Sequence, residues 1–536
     1  MRPTRKATLW VFAILMFLLF RGAGDHALLD PIEGLNASVT LNMATRGDLF
    51  VPRAGDFFYT GKAMGFWWLS ALCLKILGWS EAAVRFWPVI GGLGMAAGAW
   101  FIARRLKSER VANFAAILTG SALLTYAASQ IASPHTLYSL LTTGALVGFI
   151  YGTSDNRFFL LTHAASALGF IAYGPAGLLL PWLSFLIYAY ATGEWNALAD
   201  ALFYWPGVLA TIFLVDGYLV LMYMNHPALL ALMRYMPRAA AFNTFGNALL
   251  FLAFGAFPWC GIAGYAIKDA LPLTWREVRP HEKNNALLVI WIAVFSFFGL
   301  FSGDAFLITA VIPPLAALSS LCVAKIIEES NNNNGNNDYD AARRMMIWEC
   351  SFFGVFVIVV LPWFYFGATA SLRGTLLSLV PWIGIECLFL AFGLRCVKKR
   401  EMRKIMLQLS VAALLSLLPL AGVFDLLAEN LSIRPNALWL KEEVKTGDKI
   451  VQYGMNNPSL YFYTARESIL FEARPLSGVA ERTPFSEKAL VETWEGPARV
   501  FLIVAQSDKI RPLGGSVHNV YDDARYIILS NQNGKK

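Results

Sequence analysis

Residues 158–191 read FFLLTHAASALGFIAYGPAGLLLPWLSFLIYAYA, a run without a single Asp, Glu, Lys or Arg. A helix needs about 17 to 25 apolar residues to cross the hydrocarbon core of a bilayer, so this run of 34 residues is just long enough for two short crossings. It is interrupted at Tyr173-Gly174-Pro175, where glycine and proline disfavour a continuous helix. The stretch predicts two membrane spans, joined either by a tight hairpin or by a kink.

The composition of the whole chain agrees with this interpretation. Of its 536 residues, 57% are hydrophobic and only 15% are charged, and the mean hydropathy is +0.51. Soluble domains carry about 25% charged residues, so a soluble globular protein is excluded, as are disordered and collagen-like chains. The net charge of +8 is concentrated in short loops, which is typical of a membrane orientation signal and not of a nucleic-acid partner.

Hydropathy predicts about 13 transmembrane helices in this polytopic α-helical membrane protein. The predicted spans are 7–21, 82–102, 112–130, 135–152, 158–172, 174–191, 203–224, 242–266, 285–302, 305–325, 345–368, 374–394 and 405–424.

Charge bias predicts the orientation of these spans. The densest basic cluster, Arg395 to Lys404, follows the twelfth predicted span. Because short cytoplasmic loops are enriched in Lys and Arg, this cluster places the N-terminus in the cytoplasm and the C-terminus outside. The predicted location is the cytoplasmic (inner) membrane of a bacterium, with membrane lipids as surroundings.

We predict two domains. Residues 1–429 form the transmembrane domain, with a first outer loop at 22–81 that holds an interfacial helix at 31–46, and a disordered cytoplasmic linker at 328–342 that is rich in asparagine. Residues 430–536 form a soluble extracytoplasmic α/β domain, because four short apolar runs, beginning at Lys449, Ser468, Arg499 and Arg525, are separated by turn residues.

The first outer loop contains the main candidate site residues. Asp30 and Glu33 open the interfacial helix, and the cations Arg53, Lys62 and Arg85 follow. Such cations can hold an anionic lipid head group while a carboxylate handles a proton. The alternatives are that the charges are ordinary interfacial anchors, Arg85 above all, and that Asp30 caps the helix.

Three further polar residues lie in or beside apolar spans. His135 could bind phosphate or act as an acid or base near neutral pH, although a lone histidine is often structural. Asp216 and Glu386 are intramembrane carboxylates, which are functional candidates by default, with helix packing as the alternative. The cysteines show no metal-ligand spacing, so no cofactor is predicted, and a divalent metal is left open.

The order of motifs resembles a known family. Asp30 to Glu33, the helix, Gly47-Asp48 to Pro52-Arg53, Tyr59 to Lys62 and Glu81-Ala-Ala-Val-Arg85 look like the first loop of the GT-C superfamily of membrane glycosyltransferases. The similarity is to the branch that contains the lipid A aminoarabinose transferase and the protein O-mannosyltransferases. It implies a GT-C-like fold, a polyprenyl-phosphate sugar donor and transfer on the outer face of the membrane.

The chain departs from this family pattern at several hallmark positions. The family Asp-Glu pair is Ile32-Glu33 here, and the lysine of a Lys-Gly-Pro motif is Tyr173. An expected aspartate falls on Ser133 or His135, and an expected lysine on Gly303 or Asp304.

The resemblance therefore implies a glycosyltransferase that moves a sugar from a polyprenyl-phosphate carrier to an extracytoplasmic lipid, glycan or protein acceptor, such as lipid A. Glu33 and Asp30 would be catalytic, and Lys62, Arg53, Arg85, His135, Tyr173 and Asp216 would bind substrate. One alternative is a degenerate relative that binds a lipid-linked sugar or a partner without turnover. Another is a transporter, which the missing internal repeats disfavour.

Overall fold

A computed structural model describes most of the chain. The described residues are 3–54, 57–59, 63–225, 242–272, 274–275, 282–332, 336–367, 370–471, 487–506, 516–523 and 525–532. They are mostly helical, with a small sheet near the C-terminus. The predicted fold class, a polytopic helical membrane protein with a C-terminal α/β domain, is confirmed.

The chain divides into two compact units. The first contains residues 1–25, 85–221 and 238–427, and the second contains residues 26–84, 222–237 and 428–536. The sequence places the domain boundary at 429/430. In the structure, residues 26–84 of the first outer loop belong to the same unit as the C-terminal residues.

Helices make up most of the first unit. They are α1 (Pro3–Phe20), α4 (Glu81–Leu106), α5 (Glu109–Ser121), α6 (Leu123–Ser129), α7 (His135–Gly152), α8 (Phe159–Tyr173), α9 (Pro175–Thr192), α10 (Trp195–Leu202), α11 (Trp205–Asn225), α12 (Phe242–Phe254), α13 (Cys260–Ala270), α14 (Lys283–Phe301), α15 (Ile312–Asn332), α16 (Asn336–Val355), α17 (Leu361–Gly367), α18 (Ala370–Leu377), α19 (Val380–Lys398), α20 (Met402–Leu415) and α21 (Leu417–Leu431). A 3₁₀ turn lies at Asn156–Phe158, another at Ala305–Val311, and a π-helical turn at Phe356–Val360.

Each predicted span coincides with one of these helices or with two consecutive ones. Within the described residues, eight helices are long and apolar enough to cross a membrane, or nine if the bent pair α5–α6 forms one span. The chain is therefore a multi-span membrane protein, and the count of 13 stays a prediction.

Small residues allow close helix packing in the first unit. Gly91, Gly94 and Gly98 of α4 face Thr136, Leu140 and Thr143 of α7. A Cβ atom at any of the three glycines would collide with the opposing residue. Such small-residue stripes let helix backbones approach in a membrane, where the hydrophobic effect does not drive helices together.

The interruption at Tyr173-Gly174-Pro175 is a hairpin. Gly174 has φ +110°, a conformation that L side chains rarely adopt, and α8 ends before it while α9 begins after it. Gly169 and Gly177 then face each other so closely that neither could carry a side chain without a shift. The two helices are therefore packed side by side, which decides between the two predicted alternatives.

The first unit has helix breaks between α5 and α6 and between α12 and α13, and the two breaks hydrogen-bond to each other. The N–H groups of Leu123 and Leu124 donate to the carbonyls of Phe257 and Gly255, each at 2.9 Å. The indole N–H of Trp259 donates to the Leu118 carbonyl at 2.9 Å. Irregular backbone is tolerated inside a membrane protein when other protein groups take up its polar atoms in this way.

The second unit contains α2 (Ile32–Arg46), α3 (Gly65–Leu77) and the C-terminal residues. The latter form α22 (Arg434–Glu443), α23 (Ser459–Thr464), α24 (Glu487–Trp494) and strands β3 (Lys449–Tyr453), β4 (Ser468–Phe471), β5 (Val500–Ala505), β6 (His518–Asp522) and β7 (Tyr526–Ser530). A separate short ribbon pairs β1 (Arg53–Ala54) with β2 (Phe57–Phe58).

The main sheet has the order β4-β3-β5-β7-β6. Strands β4, β3 and β5 are parallel, whereas β7 is antiparallel to both β5 and β6. Four of these strands lie at the predicted apolar runs, and β6 was not predicted. The core beneath the sheet is apolar and includes Val451, Leu490, Trp494 and Leu502.

Two predicted segments differ from the structure or lie outside its described part. The disordered linker predicted at 328–342 is helical on both sides of residues 333–335, because α15 extends to Asn332 and α16 begins at Asn336. The prediction of disorder is therefore wrong for these helical residues, whose ends continue the turns of the apolar helices. An amphipathic piece predicted at 230–236 lies outside the described residues.

Candidate active site

Asp30 binds the N-terminal end of a helix from the C-terminal part of the chain. Its Oδ1 accepts the Ser459 N–H at 3.0 Å, and its Oδ2 contacts the Ser459 hydroxyl. Ser459 is the first residue of α23. The alternative that Asp30 caps α2 is wrong, because Pro31 occupies the cap position there without a side-chain hydrogen bond. Asp30 caps α23 instead.

Gly34 makes this contact possible. A Cβ atom on Gly34 would collide with Asp30 Oδ1 and with the Ser459 backbone nitrogen. The hydroxyl of Ser38, one turn further along α2, donates to the Pro458 carbonyl at 2.6 Å. One face of α2 is thus matched to the turn that precedes α23.

Glu33 lies on the first turn of α2 and is 0% exposed. Its Oε2 accepts the Leu29 N–H at 2.8 Å, which closes the turn that leads into the helix. The neighbouring Ile32 stands where the family pattern has aspartate, and it is 53% exposed. The structure therefore presents an apolar side chain, and buries a carboxylate, at the position of the family acid pair.

Burial raises the pKa of Asp30 to about 7, and the charge of nearby Glu33 acts in the same direction, while the hydrogen bonds from Ser459 oppose the rise. Between pH 4 and 7 the folded protein then binds more protons than the unfolded chain. By linkage, the stability of this region falls as pH rises through that window and levels off above pH 7.

We expect Asp30→Asn to remove this pH dependence, because asparagine keeps an acceptor for Ser459 but does not ionise. Relative to the wild type, its melting temperature should rise by roughly 5 °C between pH 5 and pH 8, since each pKa unit is worth about 1.4 kcal/mol. Thermal unfolding monitored by fluorescence measures this. Glu467→Gln, which removes an exposed partner of Arg46, is the control. A constant difference at all pH values would show that Asp30 ionises normally.

The predicted phosphate-binding cations differ in their burial and contacts. Arg53 is partly exposed in β1, and its carbonyl accepts the Asn42 side-chain N–H at 3.2 Å. Lys62 lies outside the described residues. Arg85 is fully buried in α4 and donates from Nη1 to the Ala23 carbonyl at 3.0 Å. The alternative of a snorkelling Arg85 is wrong, because the guanidinium is held inside the first unit.

The first unit has a polar cluster at its predicted outer end. Asp304 Oδ2 lies 3.0 Å from His135 Nε2 and accepts the Tyr173 hydroxyl at 2.5 Å. His135 Nδ1 lies 3.0 Å from the Ser133 hydroxyl, and its ring stacks on Phe306 with centroids 4.9 Å apart. We call Asp304, His135, Tyr173 and Ser133 the outer cluster.

The outer cluster joins three loops that are far apart in sequence. His135 begins α7, Tyr173 ends α8, and Asp304 caps the 3₁₀ turn after α14 by accepting the Phe306 N–H. In the topology predicted from charge bias, all three loops face the outside. The Asp304 side chain is 26% exposed while that of His135 is 3% exposed, so a ligand would contact Asp304 first.

The two intramembrane carboxylates, Asp216 and Glu386, differ in their exposure. Asp216 is exposed on α11 and, among the described residues, makes no hydrogen bond or ion pair. A substrate-binding role for Asp216 therefore stays a prediction. Glu386 is buried in α19.

The sequence does not reveal the residues that bind Asp30 or that complete the outer cluster. Ser459 follows an Asn-Pro turn after β3, which signals a helix start but not its distant partner. The sequence pattern identifies Asp304 only as one possible position of a replaced lysine. Glu81 was noted only as part of a motif, yet it lies 3.3 Å from the Tyr463 hydroxyl and 3.4 Å from Arg434 Nε.

Comparisons with known proteins place this arrangement in context. Residues 61–220 match the family of dolichyl-phosphate-mannose-protein mannosyltransferases. The chain is 23% identical over 385 residues to the undecaprenyl phosphate-alpha-4-amino-4-deoxy-L-arabinose arabinosyl transferase of Aeromonas hydrophila, covering 68% of each protein. It is 26% identical over 354 residues to a transferase of the same description from Sodalis glossinidius, covering 60% of this chain and 59% of the relative.

The fold is similar to that of a solved structure over nearly the whole chain. The crystal structure of ArnT from Cupriavidus metallidurans bound to undecaprenyl phosphate matches with a TM-score of 0.78 and 16% identity, covering 98% of both chains. The apo form matches with a TM-score of 0.76. The likeness therefore extends over both compact units.

Proposed function

We propose that this chain, a membrane glycosyltransferase of the GT-C superfamily, moves a sugar from a polyprenyl-phosphate carrier to an acceptor outside the cytoplasmic membrane. The observation that carries the proposal is the relationship to named transferases over two thirds of both proteins. Those relatives are named for an undecaprenyl-phosphate sugar, so a polyprenyl-phosphate-linked pentose or hexose is the proposed donor. The acceptor is a lipid, with lipid A first, or another glycan or protein.

The chemistry requires cations at the departing phosphate and an acid–base group at the acceptor. We assign phosphate binding to Arg53, the first residue of β1, and to Lys62, which follows β2 in sequence. Glu33 is the proposed acid–base residue. Asp30 has a positioning role, because both of its carboxylate oxygens face Ser459.

The outer cluster is proposed to hold the sugar or the acceptor. Asp304 is a partly exposed carboxylate whose orientation is set by His135 and Tyr173. A carboxylate held in this way can accept a hydrogen bond from a substrate hydroxyl or amino group without reorganising. Arg85 supports the start of α4 and is not assigned to the substrate.

The proposed location is the inner membrane of a bacterium, with the N-terminus in the cytoplasm and residues 430–536 outside. The basic cluster from Arg395 to Lys404 supports this orientation by the positive-inside rule. Residues 26–84 would then lie on the same side as the C-terminal residues with which they form a unit.

One observation favours the alternative of binding without turnover. Ile32 replaces the family aspartate, and the remaining carboxylates are engaged inside the second unit, Asp30 with Ser459 and Glu33 with Leu29. A chain that had lost catalysis would still carry the scaffold and the phosphate-binding cations.

The deciding experiment uses the full-length protein in lipid nanodiscs with a radiolabelled polyprenyl-phosphate aminoarabinose and lipid A. Labelled lipid A is the expected product, and Lys62→Ala should weaken binding of polyprenyl phosphate at least tenfold, because it removes a charge-assisted contact. Lys75→Ala, which removes an exposed lysine of α3, is the matched control. Donor binding without labelled product for any acceptor tested would establish the alternative.

A further inference from the structure

A second polar group lies in the first unit, away from the outer cluster. A small cavity is lined by residues of four helices, α5, α16, α19 and α20, and by Pro258 and Trp259 of the break between α12 and α13, and Glu349, Glu386 and Gln408 are among its lining residues. With a volume of about 20 Å³ it has room for one water-sized species. Most of its wall is apolar, and its polar atoms come from two glutamates and one glutamine.

Glu349 is hydrogen-bonded to the start of α13. Its Oε2 accepts the Ile262 N–H at 2.8 Å, in the first turn of α13. Gly261 approaches the Glu349 backbone so closely that a Cβ atom there would collide with it. The start of α13 therefore packs directly against Glu349 and supplies a hydrogen bond to its carboxyl group.

Glu386 and Gln408 present oxygens for which the described residues supply no donor. Glu386 is 4% exposed and Gln408 is 5% exposed, and the Oε1 atom of each is without a hydrogen-bond partner among the described residues. The Gln408 amide N–H donates to the Phe389 carbonyl at 2.5 Å. Since only the nitrogen can donate, this bond fixes which end of the amide is the free acceptor.

These atoms make a set of oxygen acceptors, two of which belong to titratable carboxyl groups. No Lys, Arg or His is among the lining residues that the structure describes. An isolated carboxylate inside a protein is costly unless an opposite charge or a proton meets it. Oxygen ligands suit hard cations, but Ca²⁺ needs six to eight of them and Mg²⁺ keeps several waters, more than this cavity admits.

We propose that the cavity binds one small monovalent cation of the size of Na⁺, held by Glu386, Gln408 and Glu349. The break at α12–α13 contributes Pro258 and Trp259 to the site, and discontinuous helices form intramembrane ion sites in other membrane proteins. This site does not depend on the proposed transferase activity, because it shares no residue with it.

The test measures binding of ²²Na⁺ to the full-length protein in nanodiscs at pH 8, in the absence of any sugar donor. We expect saturable binding of one ion and a melting temperature that is at least about 2 °C higher in NaCl than in choline chloride at equal ionic strength. Li⁺ should compete better than K⁺ because the cavity is small.

Glu386→Gln should weaken Na⁺ binding at least tenfold, and Asp340→Asn, an exposed change on the same helix as Glu349, should leave it unchanged. If the wild type shows neither ²²Na⁺ binding nor a Na⁺-specific shift at pH 8, the proposal is wrong and Glu386 is protonated. The wild-type titration decides this even if Glu386→Gln does not fold.

Discussion

Replacing Glu33 with Gln is expected to lower kcat/KM for sugar transfer by about 10²–10⁴-fold, the usual contribution of an acid–base residue. Glutamine keeps the length of the side chain and an acceptor for the Leu29 N–H, so the turn before α2 should persist. The loss would therefore come from the missing charge. Radiolabel transfer, measured together with thermal unfolding, separates the loss of the charge from a loss of stability.

Asp30→Asn is the control for Glu33→Gln, because it neutralises a carboxylate three residues away. With both Asp30 oxygens facing Ser459, we expect its turnover at pH 7 to stay within about fivefold of the wild type, as for loss of a single net hydrogen bond. The opposite pattern, a large loss in Asp30→Asn and a small one in Glu33→Gln, would exchange the two roles. If both variants turn over as fast as the wild type, the acid–base residue does not lie in the first outer loop.

Asp304→Asn is expected to lower kcat/KM by about 10²–10³-fold, comparable to losing one preorganised electrostatic contact. The change removes the carboxylate toward which both His135 and Tyr173 are directed. Tyr173→Phe keeps that carboxylate and loses one hydrogen bond, so its loss should be tenfold at most. Kinetics over several donor and acceptor concentrations would show which substrate contacts the outer cluster.

The matched control is Asp155→Asn. Asp155 also caps a 3₁₀ turn, by accepting the Arg157 N–H at 3.1 Å, and lies in a loop assigned to the cytoplasmic side. In both variants asparagine keeps an oxygen acceptor for the cap and the charge is lost, so a difference in activity between them reports on the outer cluster. If both lose activity equally, Asp304 is a cap and has no place in the active site.

The local elements could be predicted because their signals are local. The apolar runs correspond to helices, and the Gly174-Pro175 break corresponds to a helix boundary. Four of the five strands of the main sheet follow from short apolar runs between turns. These patterns depend on residues within about 20 positions of each other, which is the range over which periodicity and turn chemistry act.

The relationships between distant residues could not be predicted in the same way. Asp30 and Ser459 are 429 positions apart, and His135 and Asp304 are 169 apart. One sequence contains no signal for such pairs, so the sequence predicts a catalytic Asp30, with a cap of its own helix as the alternative, and identifies Asp304 only as the position of a lost lysine. Likewise, Arg85 looks like an interfacial anchor until packing encloses it.

The sequence by itself determined that this protein is a multi-span membrane protein, where its helices and strands lie and which family it resembles, because apolar run length and motif order are properties of the chain. Only the tertiary structure decided which residues each carboxylate forms hydrogen bonds with. It assigned Asp30 to Ser459, Asp304 to His135 and Tyr173, and Glu349 to the start of α13. The physical reason is that a polar group inside a protein must find its hydrogen-bond partner in space, and here that partner belongs to another helix.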